Sequence, residues 1–309
     1  MAVTITVSDW TDRFLTFYAQ AVAESDPDRR WLLWMEHYRF LPFGDTAEAE
    51  SDARKLFEVA WCQYPRVLGR IRRRGGVTQR QYTRAIQAVA RELGIEHADV
   101  RLQLGVGFLN RMHYAAAIND QIYMFYPVDY DYEDPELIFG NLASLAFHHQ
   151  KAGVQSSVEA YDLAEQAMVQ GVAVHTVQRA CPGRSLSAYL QANDSWVLQC
   201  AAQTVPVLRD FVDALDLPPQ KGLLRGFFWE SDYLEPERSG HWVSHLLAGK
   251  LLSTRTLAEL SSIRPEEWGG LVRRTCLDLI RELGGIHTGE PVVWAEAHQH
   301  GRPVPSVTS

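Results

Sequence analysis

Several things this sequence lacks narrow its class before any motif is read. Cysteine is scarce: the four residues Cys62, Cys181, Cys200 and Cys276 lie far apart and form no Cys-x-x-Cys pair. That argues against a disulfide framework or a cysteine zinc site, and the expected state is free thiols in a reducing cytoplasm. No apolar run approaches the roughly 18 residues a membrane span needs, so no membrane partner is expected. The first ten residues, Met1-Ala-Val-Thr-Ile-Thr-Val-Ser-Asp-Trp10, carry no basic stretch and no long apolar segment, so no secretory signal is expected. Positive charge is also short. Thirty Lys and Arg stand against 38 Asp and Glu, a net charge of −8, and a basic nucleic-acid coat protein is excluded.

What is present is ordinary globular composition, 46% hydrophobic and 22% charged over 309 residues, enough to bury a full core. Most of the chain reads with helical period. Ser8 is placed to cap a helix over roughly residues 9–25 carrying Trp10, Phe14, Phe17, Tyr18 and Val22. A second helix is expected from about Asp28 and a third from about Asp45 to Arg74. The third ends in Arg70, Arg72, Arg73 and Arg74 before Gly75-Gly76. These arginines read as cations complementing a helix C-terminus, the other reading being an anion or partner site. Thr78-Gln-Arg-Gln81 is a capping box that opens a helix to about Leu93.

From about Ala98 to Val128 the period changes to two. Val100–Leu104 alternates, Tyr114–Ile118 is small and apolar, and Gln121–Tyr126 is aromatic, with Asn119-Asp120 as the expected turn. Asp134-Pro135-Glu136 then starts a helix to about Ala152. Another is expected over 156–180, stopping at Cys181-Pro-Gly183, and 185–285 reads as further helices with breaks near 217–222 and a loop near 230–239. No repeat or low-complexity linker divides the chain. The expected fold is mainly α with one small β-sheet, a single α+β domain over 1–290. Within it, N-terminal helices fill 1–95, the sheet 98–128 and a helical part 134–285, followed by a mobile tail at 291–309.

Four segments invite a chemical reading. Gly105-Val-Gly107-Phe-Leu-Asn110 follows a strand but lacks the third glycine and a following helix, so it is not a dinucleotide loop. The acidic run Asp129–Asp134 sits in a loop, not on consecutive helical turns, and reads as solvated rather than as a magnesium–diphosphate site. His241-Trp-Val-Ser-His245 puts two imidazoles at i and i+4, where both could ligate one metal. Nothing acidic lies between them, and the preferred reading is cleft histidines without metal. His148-His149 point about 100° apart, so at most one can face a given site.

Taken in order, a sheet edge, Leu142-Ala-Ser-Leu-Ala-Phe-His-His149, Ala167-Met-Val-Gln-Gly-Val-Ala-Val-His175, Pro236–Leu247 and Leu257-Ala-Glu-Leu-Ser-Ser-Ile-Arg-Pro-Glu-Glu267 resemble the predicted zinc-dependent protease family of the zincin clan, a domain-of-unknown-function group. Members of that family carry LAHExxH on one helix, EGLA on the next, then GYxxGY and a short sLxeLxxlxxEE stretch. The resemblance covers about residues 80–270 and implies a zincin-like fold. The departures fall on the chemistry. With Leu145-Ala146 matched to LA, the HExxH positions become Phe147, His148, His149, Gln150 and Lys151. The EGLA glutamate becomes Gln170, and both tyrosines of GYxxGY become His241 and His245. A catalytic zinc needs three protein ligands and a base to activate water; none stands at the family's positions, so ordinary zinc peptidase activity is not expected.

If the fold is retained, the resemblance implies that His148, Lys151, Gln170, His241 and His245 face the former metal cleft, while Glu159 and Asp162 read as solvated helix residues. The expectation is a remodelled enzyme without zinc or cofactor. His148, His241, His245 and Lys151 would carry acid–base chemistry, and Gln170, His149, Phe147, Tyr126 and Trp242 would contact a peptide-like or other small substrate. The reaction expected is a biosynthetic cyclisation, elimination or hydrolysis. Two alternatives stand beside it: a pseudo-enzyme binding a peptide or partner in the vestigial cleft, and a relocated metal site using His241, His245 and His148. The sequence assigns no oligomeric state.

Overall fold

Asp26, Thr46, Thr78, Asp134, Ser185, Asn193 and Thr256 each cap the N-terminus of a helix through the side chain, so local sequence sets where many of the helices begin. The computed structural model describes residues 2–40, 46–111, 113–118, 121–154, 162–218, 221–229 and 236–284. Among the described residues there are fourteen helices and one four-stranded mixed sheet, the mainly α architecture that the periodicity predicts. The chain groups into two compact units: Met1–Ser156 with Thr176–Gly183, and Ser157–His175 with Arg184–Ser309. No composition shift marks this division. Glu159, the Asn119-Asp120 turn and the tail from 288 onward lie outside the described residues.

The first unit holds the sheet. Strands β1 (Ala2–Asp9), β2 (His97–Gly105), β3 (Tyr114–Ile118) and β4 (Gln121–Pro127) lie in the order β1-β2-β4-β3. β1 pairs parallel with β2 (Val3 opposite Ala98), β2 parallel with β4 (Val100 opposite Ile122), and β3 antiparallel with β4. β1 corrects the expectation of a helix from residue 9 capped by Ser8. Val3-Thr-Ile-Thr-Val7 is an unbroken run of β-branched residues that alternates aliphatic with hydroxyl side chains, a strand signature in plain sight. Helix α1 (Thr11–Ala21) starts only after it, the Thr11 amide donating to Asp9 Oδ1 at 2.9 Å.

Helix α2 (Pro27–His37) is the expected second helix, while α3 (Ala47–Trp61) and α4 (Tyr64–Arg72) replace the long third. The break at 62–63 has a plain cause: Pro65 sits in the first turn of α4, where its missing N–H costs nothing, whereas in mid-helix it would. Around α1 lies an aromatic core. Phe14 is fully buried and its ring lies within 6.3 Å of the rings of Phe17, Tyr18, Trp34, Tyr38 and Tyr64. The arginine cluster does not serve its own helix end alone. Arg70 pairs with Asp131 at 2.6 Å and Arg74 with Asp9. Helix α5 (Gln79–Glu92), opened by the Thr78 capping box, packs on α6 (Pro135–Ala152).

The second unit is helical throughout its described residues. It takes in α7 (Leu163–Ala180) up to His175, then α8 (Leu186–Tyr189), α9 (Asp194–Ala202), α10 (Thr204–Ala214) and α11 (Lys221–Phe228). Helices α12 (Ser239–Leu251), α13 (Leu257–Leu260) and α14 (Pro265–Glu282) complete it. Helices α10, α12 and α14 pack together over Phe211, Leu247, Trp268 and Val272, all buried.

Candidate functional site

The segment matched to the HExxH helix folds as the sequence predicts. Asp134 accepts hydrogen bonds from the Glu136 and Leu137 amides (3.0 and 3.4 Å), Pro135 fills the first turn, and α6 runs to Ala152. Its residues are buried on almost every side, which makes it a core helix rather than the wall of an open cleft. His148 is 0% and His149 4% exposed, and Phe147 is fully buried. Both imidazoles are therefore enclosed. Burial pushes His148 down to about 3, with the charges of His149 and Lys151 acting in the same direction, and burial alone pushes His149 down to about 4. Both are neutral at pH 7.

Lys151 donates to the Leu93 carbonyl at 2.8 Å. Its charge is thus spent on the C-terminal end of α5, a favourable place for a cation. Tyr126, on β4, is buried and stacks on Phe139 with ring centroids 4.5 Å apart. It also lies 5.2 Å from the ring of Tyr132, and burial raises its pKa well above the ordinary tyrosine value.

The acidic run is the clearest correction in this unit. Asp129 is not solvated but fully buried, and its two carboxylate oxygens accept from the Gly107 and Leu109 amides at 2.7 and 2.8 Å. It holds the Gly105–Asn110 loop in place, and burial raises its pKa to about 6. That loop is indeed followed by no helix, as expected.

The candidate histidines on α12 lie in the second unit. Gly171 of α7 is the reason α7 and α12 approach so closely: a Cβ there would lie 2.4 Å from the Ser244 carbonyl oxygen and 2.9 Å from Ala248 Cβ. One turn beyond Gly171, His175 stacks on His245, centroids 4.8 Å apart and planes 10° apart. Its Nε2 donates to the His245 carbonyl at 2.9 Å. Burial, helped by His175, pushes His245 down to about 4, so it too is neutral at pH 7. Its Nδ1 is buried with no hydrogen-bond partner among the described residues. Trp242 sets its ring 5.9 Å from His245 and donates Nε1–H to Thr204 Oγ1 at 3.1 Å. His241 donates Nε2–H to the Phe228 carbonyl at 3.2 Å, and burial together with Arg238 pushes it down to about 3.

Gln170 is half-buried next to Gly171, and Asp162 is exposed, accepting from the Glu165 amide at 2.7 Å as the cap of α7. The candidates thus fall into two sets. Phe147, His148, His149, Lys151 and Tyr126 belong to the first unit, and Gln170, His241, Trp242 and His245 to the second. The sequence reading missed His175. The signal was a histidine four residues after a glycine on one helix face, in a segment already matched to a site helix.

The zinc that the resemblance implies does not suit these residues. At the family's positions stand a fully buried imidazole, a lysine committed to a carbonyl, and a glutamine, and no carboxylate. Among the described residues, no three His, Cys, Asp or Glu side chains are grouped to hold a metal ion. No family model, curated protein or solved structure matches the chain.

Proposed function

We propose that this chain is an enzyme working without zinc on the scaffold its motifs resemble, with His245 as general base and a peptide-like or other small molecule as substrate. One observation carries the reading: the His175–His245 stack, in which the buried Nδ1 of a neutral imidazole has no hydrogen-bond partner among the described residues. A neutral imidazole nitrogen accepts a proton, and its orientation is set by the ring and carbonyl packed against it. Cyclisation, elimination and hydrolysis all require a proton to be taken from a nucleophile, a carbon or a water. His241 is similar in kind, since the Phe228 carbonyl fixes its Nε2–H and leaves Nδ1 as the acceptor. The order of elements, sheet then α6 then α7 then α12, supports the scaffold.

A second reading is favoured by the depressed basicity. A base at about 4 accepts protons weakly at pH 7, which suits a hydrogen-bonding wall in a binding protein better than a catalyst. A panel of short synthetic peptides, followed by mass spectrometry for the loss or gain of one water, separates the two. The enzyme reading expects turnover that survives a metal chelator and falls about 100-fold or more in His245→Gln at unchanged melting temperature. Full activity in His245→Gln, or loss of activity on chelation with stoichiometric metal found by elemental analysis, overturns it. Saturable binding of a peptide without turnover, weakened by the same substitution, establishes the second reading.

A further inference from the structure

Strand β1 is one edge of the sheet in the first unit, and it carries none of the devices that usually keep such an edge from pairing. From Ala2 to Ser8 there is no charge, no proline and no glycine, and every residue from Val3 to Val7 is β-branched. Its pairing with β2 keeps one continuous register from Ala2 to Asp9, so no bulge turns the edge away. At the two ends of that ladder the amides of Ala2 and Trp10 donate to the Glu96 and Leu104 carbonyls at 2.7 and 2.8 Å. Alternation along the strand then turns the N–H and C=O groups of Val3, Ile5 and Val7 away from β2, to the open side. Among the described residues no further strand lies there, and most of β1 is exposed.

The sequence of this edge is complementary to itself. Val3-Thr-Ile-Thr-Val7 reads the same in both directions about Ile5. Two antiparallel copies related by a two-fold axis at Ile5 set Ile5 opposite Ile5, Val3 opposite Val7 and Thr4 opposite Thr6. The outward-facing residues then fall at the hydrogen-bonded pairs, each exchanging both backbone bonds. Val3, Ile5 and Val7 stand beside Ala98, Val100 and Leu102, all buried, so the apolar face of the sheet continues across the joint. Thr4 and Thr6 meet on the opposite face, where paired threonines are a favourable cross-strand contact. We propose that β1 pairs with β1 of a second copy of this chain, antiparallel about Ile5, joining two four-stranded sheets into one across a two-fold axis. One strand a side is a small interface, so dimer and monomer are expected to exchange on dilution. The pairing is independent of the histidine reading and stands or falls separately.

Sedimentation of the full chain over a range of concentrations tests it. The parent is expected to pass from monomer to dimer as concentration rises. Thr4→Lys/Thr6→Lys, which sets lysine against lysine twice on the exposed face, is expected to weaken the dimer about tenfold or more at an unchanged circular dichroism spectrum. Thr4→Lys/Thr6→Glu alters the same two positions but sets lysine against glutamate in this register, and is expected to keep the dimer. Val7→Pro removes an amide that faces away from β2, so the β1–β2 ladder is kept while the joint loses its bonds at Val7. It is expected to be monomeric, and it serves should the lysine variant fail to fold. A parent that stays monomeric overturns the pairing; if that monomer instead adds a synthetic Val-Thr-Ile-Thr-Val peptide, the edge belongs to another protein's strand. A dimer untouched by the two lysines and by Val7→Pro overturns β1 as its interface. Equal weakening in both charge variants overturns the register.

Discussion

The two units solve the problem of polar groups among apolar ones in different ways. In the first, bulky rings fill the interior around Phe14, and the buried carboxylate Asp129 is consumed in closing a loop, both oxygens satisfied by backbone amides. In the second, small residues set the geometry. Gly171 lets two helices meet at backbone distance. The histidine beside that close crossing keeps a buried acceptor nitrogen with no hydrogen-bond partner among the described residues. The lesson is that large rings fill an interior by contact with one another, while a glycine in a helix lets a second helix approach at backbone distance.

The contrast is most easily broken at the helix crossing. Gly171→Val forces its Cβ into the Ser244 carbonyl, and a loss upward of about 4 kcal/mol is expected in urea unfolding followed by circular dichroism. A cost below about 1 kcal/mol would mean that the α7–α12 approach does not depend on glycine. Next in size, Phe14→Ala should cost about 3–5 kcal/mol through the cavity left among five rings. If the loss were no larger than that of an exposed substitution, the first unit's core would lie elsewhere.

Acid should sharpen the comparison. His241 and His245 sit at about 3 and about 4 in the folded chain, below the ordinary 6.5, so the unfolded chain binds more protons between those values. Their contribution is fully present above about pH 6.5 and falls by about 1.4 kcal/mol per histidine per pH unit on acidification. Asp129 runs the other way. Its pKa is raised from 3.8 to about 6, so its contribution is present below about pH 4 and lost as pH rises through about 6. Urea unfolding at pH 7, 6 and 5 should therefore show His241→Gln/His245→Gln less acid-sensitive than the parent, and Asp129→Asn more so. An unchanged slope in the histidine variant would show those imidazoles to be solvated. The smallest effect is a gain: Gly269→Ala should stabilise by about 0.5–1 kcal/mol, the helix propensity regained at an exposed position inside α14 where a Cβ meets nothing.

Much of the fold was legible in short stretches. The Thr78 capping box, the Asp134-Pro135 start, the end of α6 at Ala152 and the alternation of β2 each rest on residues within a few positions of one another, and each falls where it was read. β1 was equally legible from its run of β-branched residues and was passed over. The break before Pro65 obeys a local rule that a long apolar period had masked. The candidate site was legible only in part. His241 and His245 were found from their spacing, but the partner that stacks on His245 comes from 70 residues away.

Local sequence alone determined the starts of α5 and α6, the end of α6, the alternation of β2 and the identity of most of the titratable candidates, because caps, prolines and periodicity act through neighbouring residues. Tertiary structure alone decided that Asp129 is a buried clamp instead of a solvated acid, that Lys151 is spent on a helix end, and that His175 meets His245 across a glycine. The reason is physical. Burial, proton affinity and open volume depend on which distant segments come into contact, and a residue's neighbours in sequence do not record that.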